Sequence, residues 1–211
     1  MLEVFVKGLG IGLAIAAPVG PIGLLCIRRS IMQGRGAGLA TGLGAAAADG
    51  TYGLLVAVGF SATGVLLLYA PQMQVFGGLL ILWLGLMTLK GFFARRQARA
   101  AEAPARGLMG AFGATYLLTL SNPATILAFT GMIAALGGAA ASQAHAAYAL
   151  VAGVFFGSAL WWLILVHLAL WARTRMNDGA LRWLDLIAGT VLAIWGLSLA
   201  AGPVLDGTVW G

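Results

Sequence analysis

Asp49 is the only charged residue between Gly36 and Leu89, and the stretch around it is apolar. An ionised carboxylate at the centre of a membrane-crossing helix costs about 2.5–3.5 kcal/mol on insertion scales. A residue held at that cost points to a task. It can bind an ammonium group, or take up and release a proton. The competing explanation is a protonated carboxyl hydrogen-bonded to a neighbouring helix for packing alone. A second set of residues offers backbone chemistry. Pro18 and Pro21 fall inside the first apolar stretch, and Pro123 falls near the middle of the fourth. Proline inside a helix removes one backbone hydrogen bond and crowds the preceding turn. In a bilayer the freed carbonyls must meet protein or water, so broken helices mark cavities. Gly20 leaves that backbone uncovered and Asn122 adds an amide beside it. Opened backbone of this kind can receive a carboxylate or ammonium group. Ser121, Thr125 and Tyr52 are candidate polar lining.

Other residues carry less. His167 could relay protons, but an interfacial or capped histidine is the preferred reading. Trp83, Trp161, Trp162 and Trp195 read as packing or lipid-facing. Gly8/Gly12, Gly38/Gly42 and Gly153/Gly157 have the four-residue spacing that lets helices approach closely. A membrane aspartyl protease needs two intramembrane Asp, and there is one. Asp49 with two distant histidines does not make a zinc site, and the single cysteine, Cys26, adds neither a disulfide nor a thiolate cluster. No phosphate-binding loop is present. The sequence therefore points to neither an enzyme, a metal site nor a cofactor.

The elements that position these residues follow from composition. Hydrophobic residues make up 61% of the 211, and charged residues 9%, against about 45–50% and 25% in soluble proteins. So little charge cannot cover the surface of a small globule, and so much apolar residue excludes disorder. A crossing needs about 20 helical residues. The uncharged intervals, broken at Pro71-Gln72 and again from Gly137 to His145, yield six helices at roughly 5–27, 38–60, 73–93, 108–135, 147–171 and 184–204. The runs are continuously apolar rather than alternating, which excludes a barrel. The expected fold is all-α, integral to the membrane: a single domain over 1–211, with one half at about 1–93, a solvated loop at about 94–107, and a second half at about 108–204.

Every lysine and arginine except Lys7 follows an odd-numbered helix: Arg28, Arg29 and Arg35; Lys90, Arg95, Arg96, Arg99 and Arg106; Arg173, Arg175 and Arg182. These loops are therefore expected to be cytoplasmic and both termini periplasmic. The formal charge of +6 then faces anionic lipid headgroups, not nucleic acid. A signal peptide cleaved after Ala14-Ile15-Ala16 would put Arg28, Arg29 and Arg35 outside and break the pattern. The halves also resemble each other. Gly8 precedes Pro21 at the spacing by which Gly110 precedes Pro123, and Gly42, Gly78 and Gly85 recur at one offset as Gly153, Gly189 and Gly196. A three-helix unit crosses an odd number of times, so its copy is inverted. Inverted repeats characterise secondary transporters with a midplane site.

At these residues the chain resembles the lysine exporter (LysE/RhtB) family of bacterial inner-membrane exporters. The likeness lies in Ala17-Pro18-Val19-Gly20-Pro21, Asp49, Gly77-Gly78 with Leu82-Trp83-Leu84-Gly85 and Lys90, and Ser121-Asn122-Pro123, and it spans essentially the whole chain. The resemblance implies six helices, export of amino acids or similar small metabolites, drive by the proton gradient, and association as dimers. Residue by residue it implies Gly20, Pro21, Asp49, Asn122 and Pro123 as the path. Many members carry Pro-Gly-Pro in the first helix, where this chain has Val19 between Pro18 and Gly20, and the substrate stays open. The expectation is a proton-coupled amino-acid exporter working by alternating access. A metal-cation exporter and a non-transporting scaffold are the alternatives.

Overall fold

The computed structural model describes residues 1–18, 20–57, 69–93, 107–122, 125 and 144–208, and the regular elements among them are all helices: α1 (Leu2–Ala16), α2 (Pro21–Gln33), α3 (Arg35–Ala57), α4 (Ala70–Phe93), α5 (Leu108–Leu120), α6 (Ala144–Arg173) and α7 (Asp178–Leu205). The apolar runs that predict spans two, three, five and six appear as α3, α4, α6 and α7. Stretches in α4, α6 and α7 are long and apolar enough to cross a membrane. Their outward faces carry large exposed side chains such as Phe76, Leu79, Leu86, Phe156, Leu163, Leu168, Ile187, Ile194 and Leu197. A surface of this kind is stable against lipid and not against water.

The expected first helix is not continuous. α1 stops at Ala16, α2 starts at Pro21, and their axes differ by 84°. Pro21 is thus not inside a helix. It occupies the first helical position after Gly20, where its missing N–H would have had no partner in any case. Pro18 lies in the connection and is exposed. A second correction concerns the arginines. α2 runs on to Gln33, so Arg28 and Arg29 are helical rather than loop residues. The turn into α3 is made by Gly34 alone, at φ 89°, a conformation that favours glycine. Of the expected fourth helix, α5 is the described part. Pro123 and the rest of 108–135 beyond it, Thr125 excepted, lie outside the described residues, as does most of the 94–107 loop.

Small residues set the packing. A Cβ on Gly12 would lie 2.0 Å from the carbonyl oxygen of Val154, and one on Gly157 would lie 2.1 Å from that of Leu9, so α1 and α6 run side by side in near backbone contact. The same closeness joins α4 to α7. Gly78 meets Gly196 and Ala200, and Gly85 meets Gly189 and Ala193, which makes the two helices antiparallel. α3 lies between α5 and α6: Gly44 abuts Phe112 of α5, and Gly42 abuts Trp162 of α6. The buried core collects Leu25, Cys26, Ala45, Ala46, Leu118, Trp162, Val166 and Leu192. α3 thereby holds Asp49 at the centre of the bundle.

Candidate functional site

The face of α3 that reaches this core is almost bare of side chain, with Ala45, Ala46 and Ala48 fully buried. The next residue, Asp49, is 3% exposed. Ser158 of α6 donates its hydroxyl to Asp49 Oδ2 at 2.6 Å, and Trp162, one turn further along α6, donates its indole N–H to Ser158 Oγ at 3.1 Å. The ion pairs among the described residues, Glu3–Lys7 and Arg28–Asp185, leave Asp49 out. A relay of indole, hydroxyl and carboxyl therefore spans α3 and α6. Ser158 is absent from the sequence-based expectations, while Trp162, expected as packing, lies in the buried core and also donates a hydrogen bond. The available signal was that Ser158 is the only serine or threonine in α6.

One turn beyond Asp49 on α3, Tyr52 is buried, and its hydroxyl donates to the carbonyl of Leu120. α5 ends at Leu120, and the last carbonyls of a helix have no partner within it. Ser121 caps α5, is buried, and lies against Gly77 of α4. Asn122 follows, with its N–H on Thr119 O at 3.2 Å and its carbonyl accepting from the N–H of buried Thr125 at 3.0 Å. The end of α5 thus draws together Asp49's neighbour Tyr52, Ser121, Asn122 and Thr125. Gly20 has open space where a side chain would be. Gly20, Pro21 and Pro18 share no hydrogen bond or ion pair with Asp49 among the described residues. His167 is exposed, its ring nitrogen against its own helix at Leu163 O.

The basic residues of α2 are the larger omission. Arg28 Nε donates to Asp185 Oδ1 of α7 at 2.8 Å, with both side chains under one-fifth exposed. Arg29 is 8% exposed, and its Nη1 faces Thr41 Oγ1 of α3 at 3.0 Å, and Ala111 O and Thr115 Oγ1 of α5, each at 3.2 Å. A cavity of about 380 Å³ lies beside them, bounded by Leu25, Arg28, Arg29, Trp83, Thr88 and Ala111 among others. Among the described residues no group of three His, Cys, Asp or Glu side chains could hold a metal ion.

Apolar helices in near backbone contact, a first segment broken before Pro21, and a lone carboxylate buried between two helices define a polytopic helical membrane protein. The chain belongs to the LysE type translocator family, whose model matches residues 13–202. It is 27% identical over 197 residues to the putative amino acid efflux protein YcgF of Bacillus subtilis, covering 92% of this chain and 94% of that protein. It is 26% identical over 206 residues to the arginine exporter protein ArgO of Salmonella schwarzengrund, and 27% identical to that of Klebsiella pneumoniae, covering 95% of this chain and 94% of each exporter. No solved structure matches the chain.

Proposed function

We propose that this protein is a secondary-active exporter of amino acids or closely related metabolites across the bacterial inner membrane, driven by protons and working by alternating access. The observation that carries the reading is Asp49, a buried carboxylate with a hydroxyl donor and no cationic partner among the described residues. A carboxyl so placed can exchange a proton or receive a substrate ammonium group. The curated relatives named above are an amino acid efflux protein and arginine exporters, which supports the substrate class. In this reading Asp49, with Tyr52, Ser121, Asn122, Pro123 and Thr125, lines the path, and the Pro18–Gly20–Pro21 break supplies its other wall.

The chain is read as one membrane domain of six spans, with α1 and α2 forming the first and α5 opening the fourth. Two inverted halves are supported by how the helices meet. Exchanging the halves exchanges α1/α2 with α5, α3 with α6 and α4 with α7. The contacts of α1 with α6 and of α3 with α5 then interchange, while the α3–α6 and α4–α7 contacts map onto themselves. Gly78 meeting Gly196 and Gly85 meeting Gly189 is the crosswise contact that a two-fold relation requires. With the basic loops cytoplasmic, both termini are periplasmic, and two chains associate as a dimer in the bilayer.

The test is uptake of a panel of radiolabelled amino acids into inside-out vesicles, with and without an imposed proton gradient. One proton falling through 100 mV supplies about 2.3 kcal/mol, enough for roughly 50-fold accumulation. Wild type should accumulate at least one amino acid, and Asp49→Asn should only equilibrate it. Gradient-driven accumulation that survives Asp49→Asn removes Asp49 from coupling. No transport of any panel member by folded protein removes the exporter reading.

A further inference from the structure

Arg29 is a buried cation with no ion-pair partner among the described residues. It is 8% exposed, and the ion pairs among the described residues, Glu3–Lys7 and Arg28–Asp185, do not include it. What it has are three neutral oxygens, all facing one terminal nitrogen: Thr41 Oγ1, Ala111 O and Thr115 Oγ1. Both threonine hydroxyls already donate to carbonyls of their own helices, Thr41 to Ala37 O and Thr115 to Ala111 O, so they are free only to accept from the guanidinium. The fork is thus fixed by one arm from α3 and α5. Its Nε and Nη2 protons have no partner among the described residues, and Arg29 borders the 380 Å³ cavity. That volume falls within the range of about 300–1,000 Å³ typical of small-molecule sites. An anchored guanidinium with its remaining donors beside a cavity is preorganised for a planar, two-oxygen anion.

The position of the cavity adds a direction. Its walls come from Arg28, Arg29 and Gln33 near the end of α2, Met87 and Thr88 near the end of α4, and Gly110, Ala111 and Ala114 near the start of α5. These are the helix ends adjoining the basic segments. On α3, Thr41 precedes Asp49 by eight residues, which places the two about 12 Å apart along the helix at 1.5 Å per residue. A single amino acid backbone cannot bridge them, so Arg29 and Asp49 serve different positions. One turn beyond Thr115 on the same face of α5, Thr119 keeps a buried hydroxyl without a partner among the described residues, one further polar group toward Ser121.

We propose that Arg29 forms the loading site for the carboxylate of the transported amino acid, in a cavity open at the basic end of the bundle and about two helical turns short of Asp49. This rests on the exporter reading, and the structure then corresponds to the state open to the cytoplasm.

The test uses the purified full chain, thermal unfolding with added L-arginine, L-leucine, L-lysine or L-serine, and the carboxamide of each. At least one acid should stabilise wild type while its amide, which lacks the charge, does so about 10- to 100-fold more weakly, the span of charge-assisted hydrogen bonds. Arg29→Gln should bring acid and amide to equal strength, and Arg29→Lys, which keeps the charge and loses the fork, should fall between. A merely structural arginine would lower the unfolding temperature of both variants and leave the acid-to-amide ratio intact, which overturns the proposal. So does equal binding of acid and amide, or of neither, by wild type. Efflux assayed on the same preparation separates the two readings: transport with an unchanged ratio sinks the loading site alone, and absence of both sinks the exporter as well.

Discussion

Ser158 is the hinge of the relay, since it donates to Asp49 and accepts from Trp162, and it is fully buried. Ser158→Ala removes both bonds with little change of volume. Side-chain hydrogen bonds between membrane helices average about 0.6 kcal/mol and reach about 1.7, while bonds to ionised groups in water-soluble proteins are worth about 1.5–3. The Asp49 bond should therefore contribute about 1–2 kcal/mol. The indole N–H of buried Trp162 then loses its acceptor, a further cost of about 1–3 kcal/mol. Ser158→Ala should destabilise the protein by about 2–5 kcal/mol. Trp162→Phe leaves Ser158 bonded to Asp49 and should cost only about 1 kcal/mol. In the double variant no indole N–H remains to be stranded, so its loss should fall short of the sum of the singles by about 1 kcal/mol. The assay is unfolding of all four proteins in one detergent, followed by circular dichroism. Additive losses, or a Ser158→Ala variant as stable as wild type, would refute the relay.

Three further outcomes are expected. Gly12→Ala should cost about 1–3 kcal/mol or more, because its Cβ would sit 2.0 Å from the Val154 carbonyl oxygen, whereas Gly10→Ala meets open space and should be neutral or up to about 1 kcal/mol stabilising; equal unfolding temperatures for the two would exclude the α1–α6 contact. Thr119→Val keeps the shape and removes a hydroxyl without a partner, so stability should hold or rise by about 1 kcal/mol; a marked loss means that the hydroxyl is bonded in solution. Arg28→Asp and Asp185→Arg should each destabilise by about 1–3 kcal/mol, and the combined swap should recover much of it, because both side chains are under one-fifth exposed; a swap no better than the worse single variant would mean that the pair does not hold α2 to α7.

Asp49 was legible because a charge inside an apolar run has few places to go, and α4, α6 and α7 were legible because length and apolarity suffice for a span. The break at Gly20-Pro21 was legible as a break only. Whether a proline interrupts a helix or starts a new one depends on what the severed ends meet, and here α1 stops at Ala16 because a separate helix runs on from Pro21 at 84°. Arg29 was illegible for a different reason. Beside Arg28 and Arg35 it has the look of a solvated turn, and only the approach of Thr41 from α3 and of Ala111 and Thr115 from α5 makes it interior. Those partners are remote in sequence and ordinary in type. Ser158 presented the same difficulty: a lone hydroxyl in an apolar helix has many uses until a carboxylate is found opposite it.

Arg29 and Asp49 bear on one another through α3. This helix touches the guanidinium at Thr41 and carries the carboxylate at Asp49, with buried alanines and glycines between. A solute moving along this face meets no side-chain charge until Asp49, so an anion held at Arg29 is not neutralised on the way by the helix itself. A zwitterion fits that sequence of charges better than a simple cation or anion does, because its carboxylate satisfies Arg29 at one level and its ammonium group satisfies Asp49 at the next. A bare cation would be repelled at the basic end before reaching Asp49, and a bare anion, once past Arg29, would meet a like charge. On the proposed roles of Arg29 and Asp49, two opposite charges spaced along α3 suit a zwitterion better than a metal cation.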